Sequence, residues 1–166
     1  EMQRMLEDVR LAKEQADLVL VAFHWGVSFG YGRVVGYQKE LGRAAIDAGA
    51  DLILGAHPHA LQGMELYRNK LICYCMGNFV MDHMKLPHFG SDTMILKCVV
   101  RDKKIARLSF IPAYITEDWV PTPHAAAKAA ELMKSMETMS ADFGTTFAME
   151  GGEVVVTGQK PGTPLA

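Results

Sequence analysis

Residues 50–59 have the sequence ADLILGAHPH, a short apolar run that leads directly into two histidines. The run is too short for a stable isolated helix, and its change into a proline-containing segment is typical of a strand followed by a loop. Pro58 restrains the backbone between the two imidazoles and blocks continuation of a regular strand. The sequence therefore predicts that His57 and His59 lie where a β-strand stops.

Residues 16–25, with the sequence ADLVLVAFHW, repeat this arrangement. Each copy begins with Ala-Asp and runs through aliphatic residues without polar alternation, a pattern that predicts strands buried on both faces of a parallel sheet. Between the copies, apolar residues recur at helical spacing over residues 37–48, and Gly49 follows where a left-handed C-terminal residue belongs. Strand, helix and strand form a βαβ unit, whose right-handed crossover makes the two strands parallel.

Three histidines follow the two predicted strands, and parallel pairing brings them to one edge of the sheet. His24 follows the first strand, and His57 and His59 follow the second. In open α/β sheets, ligands bind in the crevice beyond the carboxyl ends of the strands. Neutral imidazoles ligate zinc, manganese and iron well. The three histidines therefore predict a metal site; the alternative is that each has a purely structural role.

The bulk composition is that of an ordinary globular domain. The chain has 166 residues, of which 49% are hydrophobic and 22% charged, and its net charge is -2. This charge offers no basic field for nucleic acid or an anionic membrane surface, and no apolar run is long enough for a membrane span. The cysteines, Cys73, Cys75 and Cys98, are too few and odd in number for a disulfide framework, which favours Cys73 and Cys75 as buried thiols.

The rest of the chain predicts two hairpins, a late helix and a tail. The opening residues, up to Gln15, form an amphipathic helix without an N-cap signal, and we expect the chain to be the later part of a longer protein. The further predicted elements are a hairpin of 60–67 with 71–76, a hairpin of 93–100 with 105–111 stopped by Pro112, a helix over 124–139 and a strand over 153–157. Residues 1–157 are expected to be a portion of one domain, and residues 158–166 a flexible tail.

Three loops hold further candidates. The glycine-rich loop over residues 24–35 is either a wall or lid of the site or simply a long connection. Asn78, in a Gly-Asn-Phe segment, is either a site residue or a turn former, and composition alone favours the turn. His83 and His88 lie in a polar loop without fixed spacing to other ligands, which is typical of solvated histidines.

The chain also contains a series of short motifs in succession: His24-Trp25-Gly26, Gln38, residues 48–53 (AGADLI), residues 55–59 (GAHPH), residues 61–63 (LQG) and residues 77–79 (GNF). In this order they resemble the motifs of the bacterial capsule-synthesis (CapA) family. That family is associated with poly-γ-glutamate production and is similar to the calcineurin-like metallophosphoesterases. The resemblance covers most of the chain, and the combined order of motifs is specific, whereas Gly-x-His-x-His alone is only moderately so.

The resemblance implies an α/β (α+β) fold in which two mixed sheets form a β-sandwich flanked by helices. This is the metallophosphoesterase-like arrangement, with its N-terminal half missing here. The resemblance also implies a site for two divalent metal ions, such as manganese, iron or zinc, at the strand ends. Carried over residue by residue, His24 and His57 would ligate one metal and His59 the other. The residues that would lie beside the site are Trp25, Gly26 and Asn78, of which Asn78 has no assigned role.

Two departures from the family pattern bear on activity. The early aspartate motifs, including the carboxylate that bridges the metals, and a metal-binding asparagine belong to the N-terminal half of the family domain and are not in this sequence. Ser28 stands where the family often has an acidic residue soon after His-Trp-Gly, which leaves substrate preference open. We therefore expect this piece alone to be inactive as a two-metal hydrolase.

The leading hypothesis is a metal-dependent, phosphoesterase-like hydrolase that acts in capsule or poly-γ-glutamate synthesis, on a small-molecule or polymer substrate. The first alternative is a non-catalytic module that binds polymer or partner proteins in a surface-polymer synthesis complex. The second is a soluble α/β fragment whose histidines bind nothing. The intact protein would be cytoplasmic, or attached to the cell surface through segments outside this chain.

Overall fold

The computed structural model describes residues 1–28, 32–80 and 91–160, which form two β-sheets with helices. The helices are α1 (Met2–Gln15), α2 (Gly36–Ala48) and α3 (Ala126–Met139), with a short 3-10 helix at Ala141–Phe143. No helix in this described part has the length and apolar composition needed to cross a membrane. The strands are β1 (Leu20–His24), β2 (Leu52–Ala56), β3 (Met64–Tyr67), β4 (Lys70–Cys73), β5 (Asp92–Arg101), β6 (Lys104–Ile115), β7 (Pro121–Pro123), β8 (Thr145–Glu150) and β9 (Glu153–Gln159).

The first sheet contains both Ala-Asp strands and confirms the predicted βαβ unit. Its order is β1-β2-β4-β3, in which β1, β2 and β4 are parallel and β3 is antiparallel to β4. The connecting helix α2 ends at Gly49, which has a φ of 123° and donates its N–H to the Ile46 carbonyl. The β3–β4 hairpin, also predicted, turns through Arg68 and Asn69, which both have positive φ as a two-residue hairpin turn requires.

The second sheet is entirely antiparallel within the described residues, so the expectation of two mixed sheets is wrong for it. Its order is β5-β6-β9-β8, and β7 pairs with β6. Two-residue turns join β5 to β6 and β8 to β9, and such short turns permit only antiparallel neighbours. The sequence predicts that Pro112 stops β6, but the strand continues through it to Ile115. Proline removes only one backbone donor, and the Pro112 carbonyl still accepts the His124 N–H.

Several other predictions for the second half need adjustment. The strands β7 and β8 form in segments where no strand was predicted. The strand β9 extends to Gln159, beyond the predicted range of 153–157. Residues 161–166 of the predicted tail, the loop histidines His83 and His88, and residues 29–31 of the glycine-rich loop lie outside the described residues.

Different layers cover the two faces of the first sheet. On the central strand β4, Leu71 and Cys73 pack in a core shared with the second sheet and α3, whereas Ile72 packs in a core shared with α1 and α2. Cys73 and Cys75 are buried, as predicted, and burial raises the pKa of both thiols. The first sheet is therefore a middle layer between helices and the second sheet.

The strand β1 is less buried than predicted. Val21 and Phe23 pack against the helical layer, but Leu20 on the other face is 51% exposed. The prediction of burial on both faces is therefore wrong for β1, because it is an edge strand of the first sheet and the second sheet leaves that face partly open. For β2, with Leu52 in one core and Ile53 in the other, the prediction is confirmed.

Candidate functional site

The two parallel strands bring three histidines to one edge of the first sheet. The strand β1 ends at His24, and His57 follows β2 directly. The Nδ1 atom of His57 lies 2.9 Å from Nε2 of His24, and the ring centroids of His57 and His59 are 6.0 Å apart. The structure thus brings together the histidines that the βαβ pattern predicted to converge.

The backbone of the segment after β2 is unusual. His57 has a φ of 103° and His59 a φ of 58°, on either side of the buried Pro58. Positive φ is uncommon for residues other than glycine and costs about 1–3 kcal/mol at each such position. Strain of this kind persists only where the surroundings over-determine it, and it clusters at functional sites.

Asn78 fixes the orientation of His59. The side chain of Asn78 is buried, its Oδ1 lies 2.7 Å from His59 Nδ1, and its Nδ2 donates to the His59 carbonyl at 3.3 Å. Because an amide oxygen can only accept, His59 Nδ1 carries a proton, which in a neutral ring leaves Nε2 as the nitrogen with the lone pair. Composition alone favours a turn role for Asn78, whereas these contacts make it a positioning residue of the histidine cluster.

Ser28 contacts the ring of His57 from the side opposite His24. Its Oγ lies 3.0 Å from His57 Nε2, while the Nδ1 atom of that ring faces His24. Both ring nitrogens of His57 are thus engaged by protein atoms. The sequence marks Ser28 only as a departure from the family pattern, and no local signal indicates a contact between residues 29 positions apart.

Trp25 anchors the end of β1 and does not line the site. It is 5% exposed, its Nε1 donates to the Tyr74 carbonyl at 2.8 Å, and its ring stacks on Phe23 with centroids 4.5 Å apart. Gly55 in β2 permits this approach, since a Cβ there would lie 2.6 Å from Trp25 Nε1 and 1.9 Å from the Tyr74 carbonyl oxygen. Trp25 therefore holds the neighbouring His24 in place from within the core.

An uncharged frame supports the histidine loop from behind. Gly26 has a φ of 89°, and a Cβ at this position would lie 2.8 Å from Pro58 Cγ, so that only glycine fits. Behind it, Gln38 and Gln62 are fully buried and join through Gln38 Nε2 and Gln62 Oε1 at 2.9 Å. Gln62 Nε2 also donates to the Arg33 carbonyl at 2.8 Å. These two glutamines, for which the sequence predicted no role at the site, connect the loop after β1 to the loop after β2.

The described residues supply imidazoles for a metal but not a complete set of ligands. Within residues 1–28, 32–80 and 91–160, no group of three or more His, Cys, Asp or Glu side chains is arranged to hold an ion. The 2.9 Å between His24 Nε2 and His57 Nδ1 suits a direct hydrogen bond, being shorter than the roughly 3.3 Å between two nitrogens that share a tetrahedral zinc ion. The oriented ring of His59 does have the chemistry of a metal ligand. The fit of the described residues to a metal is therefore partial.

Residues 1–83, half of the chain, match the family model for the bacterial capsule synthesis protein PGA_cap. The chain belongs to this family. The matched region contains the three histidines and Asn78, whereas the second sheet lies beyond it. The part of the chain that identifies the PGA_cap family is thus the part that builds the histidine cluster.

Curated relatives of this PGA_cap chain are much longer than the chain itself. It is 36% identical over 117 residues to the capsule biosynthesis protein CapA of Bacillus anthracis, a match that covers 68% of the chain and 28% of the relative. It is 46% identical over 71 residues to the PGA biosynthesis protein CapA of Bacillus subtilis, covering 43% of the chain and 18% of the relative. A "Probable polyglutamine synthesis accessory protein" of Mycobacterium tuberculosis is 32% identical over 93 residues, a match that covers 54% of the chain and 24% of the relative. The matched part of the chain therefore spans less than a third of each relative.

Proposed function

We propose that this chain contributes the histidine side of a metal-dependent hydrolase site, in a protein that acts in the synthesis of poly-γ-glutamate or a related surface polymer. The observation that carries the proposal is the orientation of His59 by Asn78, with Oδ1 2.7 Å from Nδ1. Metal-ligating histidines almost always have their second ring nitrogen held in this way by an oxygen acceptor. The names of the relatives refer to capsule, PGA and polyglutamine synthesis, and they support the proposed role in polymer synthesis.

The proposed reaction is hydrolysis of a phosphoester, by resemblance to the metallophosphoesterases. Divalent ions such as manganese, iron or zinc, when bound, polarise a phosphoryl oxygen and supply a nucleophilic water at neutral pH. In this proposal His24, His57 and His59 are ligands, and the carboxylates that a two-metal site needs come from the rest of the intact protein.

The other residues of the cluster act by orientation. Asn78 keeps the proton of His59 on Nδ1, and Ser28 holds His57 Nε2, the nitrogen that faces away from His24. Of these two rings, His59 is held through Nδ1 by an oxygen acceptor, as metal-ligating histidines are, whereas His57 would have to give up its contact with His24 or with Ser28 to ligate a metal. Trp25 and Gly26 fix the backbone beside His24.

The first experiment measures metal content by elemental mass spectrometry on the purified full-length protein. We expect near-stoichiometric metal in the wild type, its loss in the double variant His57→Ala/His59→Ala, and affinity reduced about 10–100-fold in Asn78→Ala. His124→Ala is the matched control, because His124 pairs with Asp92 beside the second sheet and its loss should leave metal content unchanged. Phosphoesterase activity is then assayed with manganese and an aryl phosphate. A folded wild type without metal, or activity that survives loss of the metal, would contradict the proposal.

A non-catalytic binding module is the second candidate. It is favoured by the direct contact between His24 and His57 and by the incomplete set of ligands among the described residues. In that case the histidines are structural, and the protein binds polymer or partner proteins in a synthesis complex. His57→Ala would then change the free energy of unfolding while the wild type and the variant both remain free of metal.

A further inference from the structure

A cleft lies at the opposite end of the first sheet from the histidines. Its volume is about 550 Å³, and its lining includes residues that precede β1 and β2, the β3–β4 turn and the β5–β6 hairpin. The histidines, in contrast, follow the carboxyl ends of β1 and β2. The two ends of the parallel strands therefore present separate surfaces.

Positive charge dominates this cleft. Its lining includes two carboxylates, Asp17 and Asp51, in a chain whose overall net charge is -2. The basic side chains of the lining are Lys13, Arg68, Lys70, Lys103, Lys104 and Arg107. Arg68 and Arg107 pair with Asp47 and Glu150 outside the lining, so the excess of cations comes from the four lysines set against two aspartates. Such an excess, gathered in a concave surface, attracts anions at close range.

At the floor of the cleft, two lysines share one carboxylate. Lys13 Nζ lies 2.7 Å from Asp51 Oδ2 and Lys70 Nζ lies 3.0 Å from Asp51 Oδ1. One carboxylate neutralises only one of the two lysines, so the floor keeps a net positive charge. Since Asp51 also accepts the Val19 N–H at 2.9 Å, its position is fixed and the charge cannot be relieved by a shift of the carboxylate.

The rim of the cleft offers cations that a ligand can recruit at little cost. Lys103 forms a direct ion pair with Asp17 at the surface, where the two side chains are 74% and 58% exposed. Lys104 is exposed and has no ion pair among the described residues. Exposed ion pairs contribute little free energy and exchange readily for other anions. The rim lysines are therefore available to carboxylates of a ligand.

The walls of the cleft are apolar and come from both sheets. Leu18 and Leu66 belong to the side of the first sheet, and Ile105, Leu108 and Val156 to the second. No aromatic side chain lies among the described lining residues, so the cleft lacks the stacking surfaces with which proteins hold single-stranded nucleic acid. Apolar walls below a cationic rim suit a ligand in which carboxylates alternate with short methylene segments.

We propose that this cleft binds an acidic polypeptide, with glutamate units whose methylene groups lie on the apolar walls and whose carboxylates pair with Lys103, Lys104 and the lysines of the floor. The lining of the cleft alone supports a ligand that carries many carboxylates. That the polyanion is the polymer being synthesised rests on the proposed function. The cleft then serves to hold the polymer at a distance from the histidine site.

The test measures binding of fluorescein-labelled poly-γ-glutamate to the full-length protein by fluorescence anisotropy, at two salt concentrations. We expect saturable binding that weakens with salt, and at least a tenfold loss of affinity in the double variant Lys103→Glu/Lys104→Glu. Both residues are exposed, so the variant should fold, which circular dichroism verifies. The matched control is Lys128→Glu/Lys134→Glu on α3, which makes the same change in net charge on an exposed surface outside the cleft and should bind as the wild type does.

The outcomes separate this inference from the proposed function. The double variant His57→Ala/His59→Ala should lose metal yet bind the polymer with unchanged affinity. Equal binding by the wild type and the Lys103/Lys104 variant would overturn the inference, as would the absence of binding by a folded wild type. Tighter binding of a single-stranded oligonucleotide or of anionic phospholipid vesicles than of poly-γ-glutamate would also overturn it.

Discussion

The two copies of the Ala-Asp-strand-histidine pattern, residues 16–25 and 50–59, become parallel neighbours with different surroundings. Leu20 and Leu52 are partners in register, yet Leu20 is 51% exposed and Leu52 only 1%. The difference arises because β2 lies between β1 and β4, whereas β1 is an edge strand of the described sheet. Similar local sequence therefore determines the type of element, and the place in the sheet determines its burial.

The largest expected difference in stability is between variants of Leu52 and Leu20, which are partners in register. Leu52→Ala should lower the free energy of unfolding by about 3 kcal/mol, because it opens a cavity in the core between the two sheets. Leu20→Ala should lower it by less than about 0.5 kcal/mol, since its side chain is half in solvent. Urea denaturation of both variants makes the comparison. Similar losses at the two positions would mean that β1 is covered as fully as β2.

A smaller difference is expected at the aspartates that begin the two copies. Asp51 accepts bonds from Lys13, Lys70 and the Val19 N–H, whereas Asp17 makes an exposed pair with Lys103. Asp51→Asn should therefore lower the free energy of unfolding by about 1–2 kcal/mol at neutral pH, and Asp17→Asn should have no measurable effect.

The pH dependence sharpens this prediction. Although burial opposes it, hydrogen bonds from Lys13, the Val19 N–H and Lys70 lower the pKa of Asp51 in the folded protein. The stabilisation is therefore complete above the unfolded pKa of about 3.9 and is lost as the pH falls through the lower folded value. Unfolding curves of the wild type and Asp51→Asn, recorded from pH 7 downward, should converge in acid. A constant difference at every pH would contradict this account.

The smallest and most specific difference lies at the histidines. His24 is in the extended strand β1, where alanine should be more stable than glycine by about 0.5–1 kcal/mol. At His57, with a φ of 103°, the order should reverse, and His57→Gly should be more stable than His57→Ala by about 1 kcal/mol. Thermal unfolding of the four variants tests the reversal. The same order at both positions would show that the backbone at His57 carries no strain.

The predictable part of the molecule rests on local patterns. The βαβ unit and the meeting of His24 with His57 follow from two apolar runs, one helical repeat and a crossover rule. The β8–β9 hairpin was missed, although Gly151-Gly152 between the two strands is a usable turn signal, and both glycines have positive φ.

The rest depends on contacts that no local pattern contains. The Asn78–His59, Ser28–His57 and Gln38–Gln62 contacts join residues 19, 29 and 24 positions apart. Each requires two segments distant in sequence to be placed by the sheet before the side chains can meet. The exposure of β1 likewise follows from the order of strands in the sheet. The amino-acid pattern of a single strand does not predict that order.

The order of the two sheets along the chain has a consequence for biosynthesis. The strands of the histidine-bearing sheet lie within residues 20–73, and the second sheet begins only at Asp92. All of the first sheet therefore emerges from the ribosome before any strand of the second does. Until β6 and β9 emerge, the nascent chain presents Leu52, Leu71 and Cys73 as a bare apolar surface, the kind of surface that chaperones engage during translation.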